Sequence, residues 1–366
     1  MTLNSVTGGG TVERTVQLHK ALANLGADSH ILTIKESVDS SEILQANDIT
    51  YLSCLNARWF IPFPAISKVR SLVEQADVVH LMNHWTFINA WVYLLARKLN
   101  KPYIISPAGA LTVFGRSKIK KYLYQRIIGK NILRNALAAI AISPHEVELF
   151  KNIGIDSHKI HHIPNGVDDR DFSFSDTSIF REAYSLASVP YILFLGRINT
   201  IKGPDLLLGA FAKLCDDLPH HLIFAGPDSG MADQLKKDLL KMNLVDRVHF
   251  TGHVGGHLKS SAYHGAALLV VPSRHEAMSI VALEAAISSI PVLLTDQCGF
   301  SSLAEAGAAI EVPASLEGLS KGLEKLLIED CNLEQMGKKG REFALERFTW
   351  DSMAKRFLEL TELIKR

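Results

Sequence analysis

Residues 272–300 read PSRHEAMSIVALEAAISSIPVLLTDQCGF, and their pattern is that of a buried helix followed by a buried strand. The segment Ile280–Ile287 is apolar on every side except at Glu284, which predicts a helix inside a protein core. Ser279 is a suitable N-cap for this helix, and Ile290–Leu294 predicts the strand that follows.

Two glutamates in this stretch are the first candidates for a site. Glu276 lies on the loop before the helix, and Glu284 lies one turn inside it. A carboxylate in so apolar a helix is costly unless something pairs with it. The two acids can face one crevice at the carboxyl end of a strand, where open α/β sheets bind ligands. The alternative is a solvated Glu276 and a salt-bridged Glu284 with no functional role.

The composition limits the class of protein. A chain of 366 residues suits two domains, and contents of 47% apolar and 21% charged residues are those of a soluble globular protein. The four cysteines form no CxxC pair, so neither a disulfide framework nor a zinc site is indicated, and a reducing cytoplasm fits. No signal peptide and no apolar run of about 18 residues is visible, so neither export nor membrane spanning is expected.

A glycine loop at residues 7–11 separates a short predicted strand at residues 1–6 from a predicted helix with leucines at core spacing. The loop does not read GxGxxG, so a dinucleotide site has weak support. Backbone amides at Gly9 and Gly10 would allow an anion to approach the start of the helix. A plain tight turn is the alternative.

Two further predicted strands place loops at the same kind of position. Residues 77–81 predict a strand, and His84 lies in the loop at its carboxyl end, where site residues are favoured. Because Trp85 is adjacent, a structural role for the histidine is the alternative. Residues 102–106 predict the next strand, and the loop after it contains Ala108.

The charge distribution is uneven. Between Val78 and His145 the chain has ten Lys or Arg and no Asp or Glu. Within this region, residues 116–134 intersperse basic and apolar side chains, which predicts a basic amphipathic helix that contacts anionic lipid or another anionic partner. An ordinary solvated helix whose basic stems cover an apolar face is the alternative. Nucleic acid is not expected, because no RNA-binding motif is present.

The second half contains a second possible anion site. Tyr191–Leu195 is fully apolar, which predicts a strand of a parallel sheet, and the loop after it carries Arg197 and Lys202. Pro204 suits the first turn of the next helix. A guanidinium and an ammonium on such a loop can hold a pyrophosphate, the first by bidentate hydrogen bonds and the second as a point charge. Taken singly, either residue is compatible with ordinary surface charge.

Several of these motifs occur in the order found in one enzyme family. The Glu-x7-Glu spacing of Glu276 and Glu284 followed by PVLLTDQCG, the stretch GRINTIKGPDLLLGAF at 196–211 and IPNGVD at 163–168 resemble retaining glycosyltransferases of family 4. That family includes bacterial polysaccharide and lipopolysaccharide sugar transferases and has the GT-B fold. The resemblance implies an α/β protein with two facing Rossmann-like domains.

The resemblance also implies domain boundaries. Residues 1–168 would form an acceptor-binding domain, and residues 169–348 a nucleotide-sugar-binding domain. Residues 349–366 would form a terminal helix that crosses back to pack on the first domain. Closure over the donor would then be part of the catalytic cycle.

Roles for individual residues follow from the same resemblance. The first glutamate of the pair would meet sugar hydroxyls, and the second would hold the ribose. Catalytic roles are implied for Glu276, Arg197, Lys202 and His84. Donor contacts are implied at Gly9, Gly10, Arg197, Lys202, His253, Val254, Met278, Ser279, Ile280 and Glu284. No metal and no other cofactor is implied.

The implied substrates are a UDP- or GDP-linked sugar donor and a glycan or lipid-pyrophosphate-linked acceptor. The reaction would belong to cell-surface polysaccharide or lipopolysaccharide synthesis. The protein would be cytoplasmic, with residues 116–134 in contact with the inner face of the cytoplasmic membrane.

Some positions depart from the family pattern. Met82 stands where a His-x-His pattern would place its second histidine, and Ala108 stands where relatives often carry arginine. These departures leave open a non-catalytic sugar-nucleotide-binding relative, while a nucleotide-sugar 2-epimerase or a phosphorylase of the same fold is a further alternative. Residues 169–171 spell DxD, and we expect them to serve as linker and helix cap rather than as a metal site.

Overall fold

The computed structural model describes residues 9–35, 48–56, 61–63, 65–112, 118–186, 188–329 and 331–365. The chain divides into two compact units, one formed by Met1–Gly166 with Trp350–Arg366 and the other by Val167–Thr349. The strand predicted at residues 1–6 lies outside the described residues.

The first unit is built around a parallel sheet of four strands in the order β5-β6-β7-β8. Two more strands, β1 and β2, form a parallel pair, and β3 and β4 form an antiparallel pair. The strands are β1 Ile31–Ile34, β2 Ile49–Leu52, β3 Cys54–Asn56, β4 Ile61–Pro62, β5 Val79–Met82, β6 Tyr103–Ser106, β7 Ala138–Ala141 and β8 Ile160–His162.

One helix precedes β1, and from β4 onward helices alternate with the strands. The helices are α1 Gly10–Asn24, α2 Ile66–Gln75, α3 Phe87–Lys98, α4 Lys118–Tyr124, α5 Lys130–Arg134 and α6 Pro144–Asn152, with a short 3-10 helix at Ser157–Lys159. A π-helix at Gln125–Gly129 joins α4 to α5. The basic helix predicted over 116–134 is therefore present as one continuous helical run at residues 118–134 that contains a π-helical turn, while residues 116–117 lie outside the described part.

The second unit contains six parallel strands in the order β11-β10-β9-β12-β13-β14. These strands are β9 Tyr191–Leu195, β10 His221–Ala225, β11 Val248–Gly252, β12 Leu268–Val271, β13 Val292–Thr295 and β14 Ala309–Val312. The first strand in the chain, β9, lies at the centre, and later strands are added on both sides of it. The order therefore reverses between β9 and β12, which makes this boundary the switch point where such sheets bind ligands.

The helices of the second unit cover this sheet. They are α7 Ser178–Ala183, α8 Pro204–Leu214, α9 Ala232–Met242, α10 Gly256–His264, α11 Ile280–Ile287, α12 Ser301–Glu305, α13 Leu316–Leu327 and α14 Leu333–Arg347, preceded by a 3-10 helix at Asp169–Phe172. Helix α11 has the predicted bounds, and Ala282–Ile287 of it are buried. The apolar strands β12 and β13 are buried along their whole length because a parallel sheet is covered on both faces.

The last helix of the chain, α15 Trp350–Lys365, belongs to the first unit. It packs against α1, and Trp350, Met353 and Phe357 share one buried cluster with Leu18 and Leu22. Gly166 permits this packing, because a Cβ on it would lie 2.9 Å from Trp350 Cα. Among the described residues, none of the helices has the length and apolar character needed to cross a bilayer.

Candidate functional site

An ion pair at the switch point joins the loops that follow β9 and β12. Lys202 Nζ lies 2.8 Å from Glu276 Oε1, and the two side chains are 23% and 9% exposed. Both residues were predicted as site residues, and the structure brings them together at the edge where parallel sheets bind ligands. The pair is therefore the centre of the candidate site.

A glycine and a second ion pair fix the loop that carries Lys202. Gly203 has a φ of 68° and packs so closely on the next loop that a Cβ would lie 2.0 Å from the carbonyl oxygen of Pro272. Arg274 forms two hydrogen bonds with the Asp205 carboxylate, at 2.8 and 2.6 Å. The amide of Arg274 also donates to the carbonyl of Ile201 at 2.7 Å. These contacts clamp the two loops together on either side of the Lys202–Glu276 pair.

Glu276 is oriented by its own loop. Its amide donates to the carbonyl of Gln297 at 2.8 Å, and Ser273 Oγ donates to Glu276 Oε1. Thr295 at the end of β13 supports this loop, since its hydroxyl donates to the Ser273 carbonyl. Cys298 lies in the same region, where burial and the Glu276 charge raise the pKa of its thiol to about 12. The thiol therefore stays protonated at neutral pH, which removes it as a nucleophile.

Arg197 begins the same loop as Lys202 and is exposed. It follows Gly196, where a Cβ would lie 4.0 Å from Cδ and Cε of Lys202. A Cβ on Gly226, after β10, would lie 1.9 Å from the Gly196 carbonyl oxygen, so these two loops are also in close contact. Arg197 therefore follows a tightly packed glycine that lies close to the Lys202 side chain.

The start of α11 lies directly after Glu276. Met278 and Ser279 are buried, and Ile280 is half-buried. The Ser279 amide donates to the carbonyl of Cys298 at 3.1 Å, so this amide is engaged within the protein instead of being available to a sugar. Ser279 precedes α11 but makes no side-chain cap bond, and its buried hydroxyl has no hydrogen-bond partner among the described residues.

Glu284 is buried inside α11, and both of its carboxylate oxygens have protein partners. Lys259 Nζ lies 2.9 Å from Oε1, and the Tyr263 hydroxyl donates to Oε2 at 2.7 Å. The two partners come from α10, which the sequence did not single out. The sequence pattern that could have identified them is a lysine and a tyrosine four residues apart, since this spacing places both on one face of a helix.

The loop between β11 and α10 carries the two residues expected near the nucleobase. His253 is exposed and Val254 is buried. The loop leads directly into α10 and so towards Lys259. The ribose-binding candidate and the nucleobase-binding candidates are therefore connected through one helix of the second unit.

In the first unit, Gly9 precedes α1 with a φ of 57°, and Gly10 is the first residue of the helix. Arg14, one turn later, is buried. Its guanidinium donates to the carbonyls of Ile163 and Pro164 at 3.1 and 2.9 Å and to Asn165 Oδ1 at 3.0 Å. Arg14 therefore holds the turn at residues 163–165 in place.

His84 is also placed differently from the catalytic prediction. Its side chain is 1% exposed, its Nε2 lies 2.7 Å from Gln125 Oε1, and its ring packs edge-to-face with Trp85 and Tyr124. Burial lowers the pKa of the ring, so it is neutral near pH 7. A ring sealed in this cluster does not contact a substrate in the conformation described. Gln125 lies on the π-helical turn, which the sequence pattern did not predict.

A buried carboxylate organises the neighbouring loops and was not predicted. Glu146 of α6 accepts hydrogen bonds from the amide of Gly109, after β6, at 2.7 Å and from the amide of Ile142, after β7, at 2.9 Å. Burial raises the pKa of Glu146, and the two amide bonds oppose that rise. Ala108, next to Gly109, has a φ of 51°, an unusual conformation for a residue with a side chain.

Metal ligation has no visible basis among the residues described. No group of three or more His, Cys, Asp or Glu side chains is arranged there to hold a metal ion. In the DxD sequence, Asp169 pairs with Arg341 at 2.8 Å, and the preceding Asp168 accepts the amide of Arg170 at 2.9 Å. These contacts are the linker and capping interactions expected for that segment.

Two family models match this chain over most of its length. A model described as glycosyl transferases group 1 matches residues 177–343, and one described as a glycosyl transferase 4-like domain matches residues 9–166. The two matched ranges correspond closely to the two compact units.

Individual relatives give the same indication. The mannosylfructose-phosphate synthase of Agrobacterium fabrum is 30% identical over 245 residues, covering 63% of this chain and 54% of that protein, about half its length. The D-inositol 3-phosphate glycosyltransferase of Jonesia denitrificans is 23% identical over 396 residues, covering 97% of this chain and 91% of that protein. HepE from Anabaena, solved with UDP and glucose, superimposes with a TM-score of 0.79 at 18% identity, covering 98% of this chain and 97% of that chain. At this identity, the structural likeness shows the GT-B fold.

Proposed function

Because the chain belongs to the group 1 glycosyltransferases of family 4 and has the GT-B fold, we propose that it is a retaining glycosyltransferase. In this proposal it transfers a hexose from a nucleotide-diphospho-sugar to a glycan or lipid-linked acceptor. The Lys202–Glu276 pair at the switch point of the second sheet is the observation that carries the proposal. It puts a cation for a diphosphate beside a carboxylate for sugar hydroxyls.

The proposed chemistry needs the departing nucleoside diphosphate to be stabilised. The bond between the anomeric carbon and the diphosphate oxygen breaks, and the acceptor oxygen bonds to the same face of that carbon. The acceptor proton passes to the departing diphosphate. Arg197 and Lys202 stabilise the developing negative charge, since preorganised cations are most effective where charge appears in the transition state. Glu276 orients the sugar hydroxyls, and no metal is required for any of these steps.

The remaining donor contacts are assigned by the same reasoning. Glu284 accepts hydrogen bonds from ribose hydroxyls, and the backbone near His253 and Val254 contacts the nucleobase. The start of α11 at Met278–Ile280 lies beside the diphosphate, where the positive end of a helix favours an anion. Gly9 and Gly10 are the candidate anion-binding residues of the first unit.

A membrane-bound acceptor is supported by the surface of α4 and the π-helix. Ile119, Tyr122, Leu123 and Ile127 are more than half exposed at helical spacing, and basic residues flank them. We propose that this surface, the basic apolar face, contacts anionic lipid at the inner side of the cytoplasmic membrane. Apolar side chains would enter the interface while the lysines and arginines meet headgroups. Cell-surface polysaccharide or lipopolysaccharide synthesis is the role that fits such an acceptor.

The first test is a thermal-shift screen against UDP, GDP, ADP and their common sugar conjugates. A ligand that binds only the folded state raises the melting temperature by mass action. At a free concentration of about 100 times its Kd, it adds about 2.7 kcal/mol to the free energy of unfolding. One nucleotide family should give a clear shift and so identify the donor. Folded protein that shifts with none of them would contradict the proposal.

A non-catalytic relative remains a second candidate because His84 is sealed in its aromatic cluster. The two candidates differ in donor hydrolysis without acceptor. A transferase should release nucleoside diphosphate slowly from the donor identified in the screen, whereas a scaffold should bind it without turnover.

A further inference from the structure

Helix α10 presents two side chains to one carboxylate. Lys259 and Tyr263 lie one turn apart on the same face of the helix, and each contacts a different oxygen of Glu284, at 2.9 Å and 2.7 Å. The Tyr263 hydroxyl also lies 3.3 Å from the carbonyl of Val281 in α11. The direction of the carboxylate is thus set at both oxygens by a neighbouring helix.

The group is mostly buried, and Lys259 connects it to the surface. Glu284 is 5% exposed and Tyr263 is fully buried, while the Lys259 side chain retains 21% exposure. The ring of Phe172 covers the cluster, with Lys259 Nζ 5.1 Å from its centroid and the Tyr263 ring 5.7 Å away. Burial and the adjacent carboxylate raise the pKa of Tyr263 well above its usual value, so its phenol keeps its proton and donates.

A second ion pair lies on elements that pack against α11. Arg341 of α14 and Asp169 of the 3-10 helix lie on elements that pack against α11, and they form an ion pair at 2.8 Å. Lys259 is therefore the cation that meets Glu284 directly. Removing one partner of a buried ion pair leaves an uncompensated charge, which is strongly unfavourable.

A carboxylate has about four lone-pair positions, so the two contacts from α10 leave acceptor capacity on both oxygens. Two vicinal hydroxyls can donate to the two oxygens of one carboxylate. From this geometry we infer that Lys259 is a positioning residue that holds Glu284 ready for the ribose hydroxyls of the donor. Lys259 thereby sets the preference for ribonucleotides over deoxyribonucleotides, an inference that rests on the proposed function of Glu284.

The test compares ribonucleotides with deoxyribonucleotides by calorimetric titration. UDP, GDP and ADP are titrated into the full chain, each also in its 2′-deoxy and 3′-deoxy form. For the nucleotide that binds, the wild type should bind the ribonucleotide about 10-fold or more tightly than its deoxy forms, which is the effect of a hydrogen bond to a charged group. Lys259→Met should weaken binding of the ribonucleotide and leave binding of the deoxyribonucleotide nearly unchanged. The ratio of the two affinities should then fall to within about 3-fold.

Three variants separate positioning from general structural damage. Lys259→Arg keeps a cation near Glu284 and should restore most of the preference. Tyr263→Phe removes only the neutral donor and should reduce the preference less than Lys259→Met does. Lys241→Met removes an exposed lysine of α9, whose Nζ lies 3.6 Å from Asp238 Oδ1, and this variant should bind like the wild type. A merely structural role for Lys259 would weaken both sugar forms equally and leave their ratio unchanged.

The outcomes also separate this inference from the proposed function. A wild type that binds none of the three nucleotides overturns both. A wild type that binds but does not prefer ribose removes the ribose role of Glu284 and the inference with it. A wild type that prefers ribose and a folded Lys259→Met that keeps the same preference overturn the inference alone. If Lys259→Met does not fold, unchanged preference in Tyr263→Phe decides against it.

Discussion

Lys202 and Glu276 pair directly, 2.8 Å apart, although they follow different strands of the second sheet and were predicted to serve different parts of one donor. Without a ligand, each residue neutralises the other. A diphosphate arriving at Lys202 and a sugar hydroxyl arriving at Glu276 would replace this ion pair with two charge-assisted contacts. Binding both halves of the donor together therefore costs less than binding either half alone, because a single half leaves one charge without a partner.

Loss of the two cations should affect turnover far more than folding. For Arg197→Gln combined with Lys202→Met, we expect turnover to fall by about 100-fold or more, since preorganised charges of this kind contribute on that scale. The measurement is release of nucleoside diphosphate from the donor, with the melting temperature recorded in parallel. Lys213→Met is the control, because its partner Glu317 is exposed and 3.6 Å away. Normal transfer by the double variant would show that Arg197 and Lys202 do not stabilise the departing diphosphate.

Gly203→Ala should disturb the site through the backbone. The residue combines a φ of 68° with a close approach to the Pro272 carbonyl, so a methyl group forces the two loops apart. We expect a loss of about 1–3 kcal/mol in the free energy of unfolding together with weaker donor binding. Gly26→Ala is the matched control, since Gly26 has a φ of 81° and open space around it. Equal losses in the two variants would mean that the contact with Pro272 contributes nothing.

Acid should destabilise the protein through a half-buried histidine of the first unit. Burial and, to a smaller extent, the charge of Arg14 lower the pKa of His80 from 6.5 to about 3. Between these values the unfolded chain binds the proton and the folded chain does not, so stability present above pH 6.5 is lost as the pH falls. One such residue contributes up to about 1.4 kcal/mol per pH unit.

His80→Asn removes this contribution, so denaturant unfolding of the variant should depend less on pH between about 6.5 and 4. The histidine contacts Ser106 Oγ at 2.7 Å, and asparagine keeps a polar group there. Parallel pH profiles for the wild type and His80→Asn would contradict the prediction.

The basic apolar face should bind anionic vesicles in a salt-dependent way. We expect flotation with vesicles containing phosphatidylglycerol at about 0.05 M salt and much less at about 0.5 M, where charges are screened over a few ångströms. Ile119→Asp combined with Ile127→Asp should abolish binding at either salt concentration. Leu240→Asp is the control, because Leu240 is 66% exposed, like Ile127, but lies on α9 of the second unit. Binding of the protein to neutral vesicles only, or to none, would favour the alternative that the basic apolar face is an ordinary solvated surface.

The sequence predicted most elements of the second unit because their patterns are local. Helix α11 was bounded correctly by its uninterrupted apolar run, and Tyr191–Leu195 was recognisable as a buried parallel strand. The fold class followed from motif order and is confirmed by the parallel sheets and the solved GT-B structures. In these cases the residues that determine the element lie within it.

Contacts between distant segments were not predictable in the same way. Arg14 contacts a turn about 150 residues later, chiefly through the backbone carbonyls of Ile163 and Pro164, and no side-chain pattern reveals a carbonyl. His84 was predicted to lie in an open loop, but it contacts Gln125 of the π-helical turn and is buried. The alternation of basic and apolar residues in that segment did not predict the π-helical turn. The pairing of Lys259 with Glu284 depends on the packing of α10 against α11, which the individual helices do not specify.

The packing of α15 on α1 has a consequence for biosynthesis. Trp350, Met353 and Phe357 complete a core whose other members, including Leu18 and Ile104, are translated before the whole second unit. During synthesis the first unit therefore waits with an open apolar surface until the ribosome has finished residues beyond Leu360. The second unit, Val167–Thr349, is complete before that helix is made, so we expect it to fold without waiting for the end of the chain.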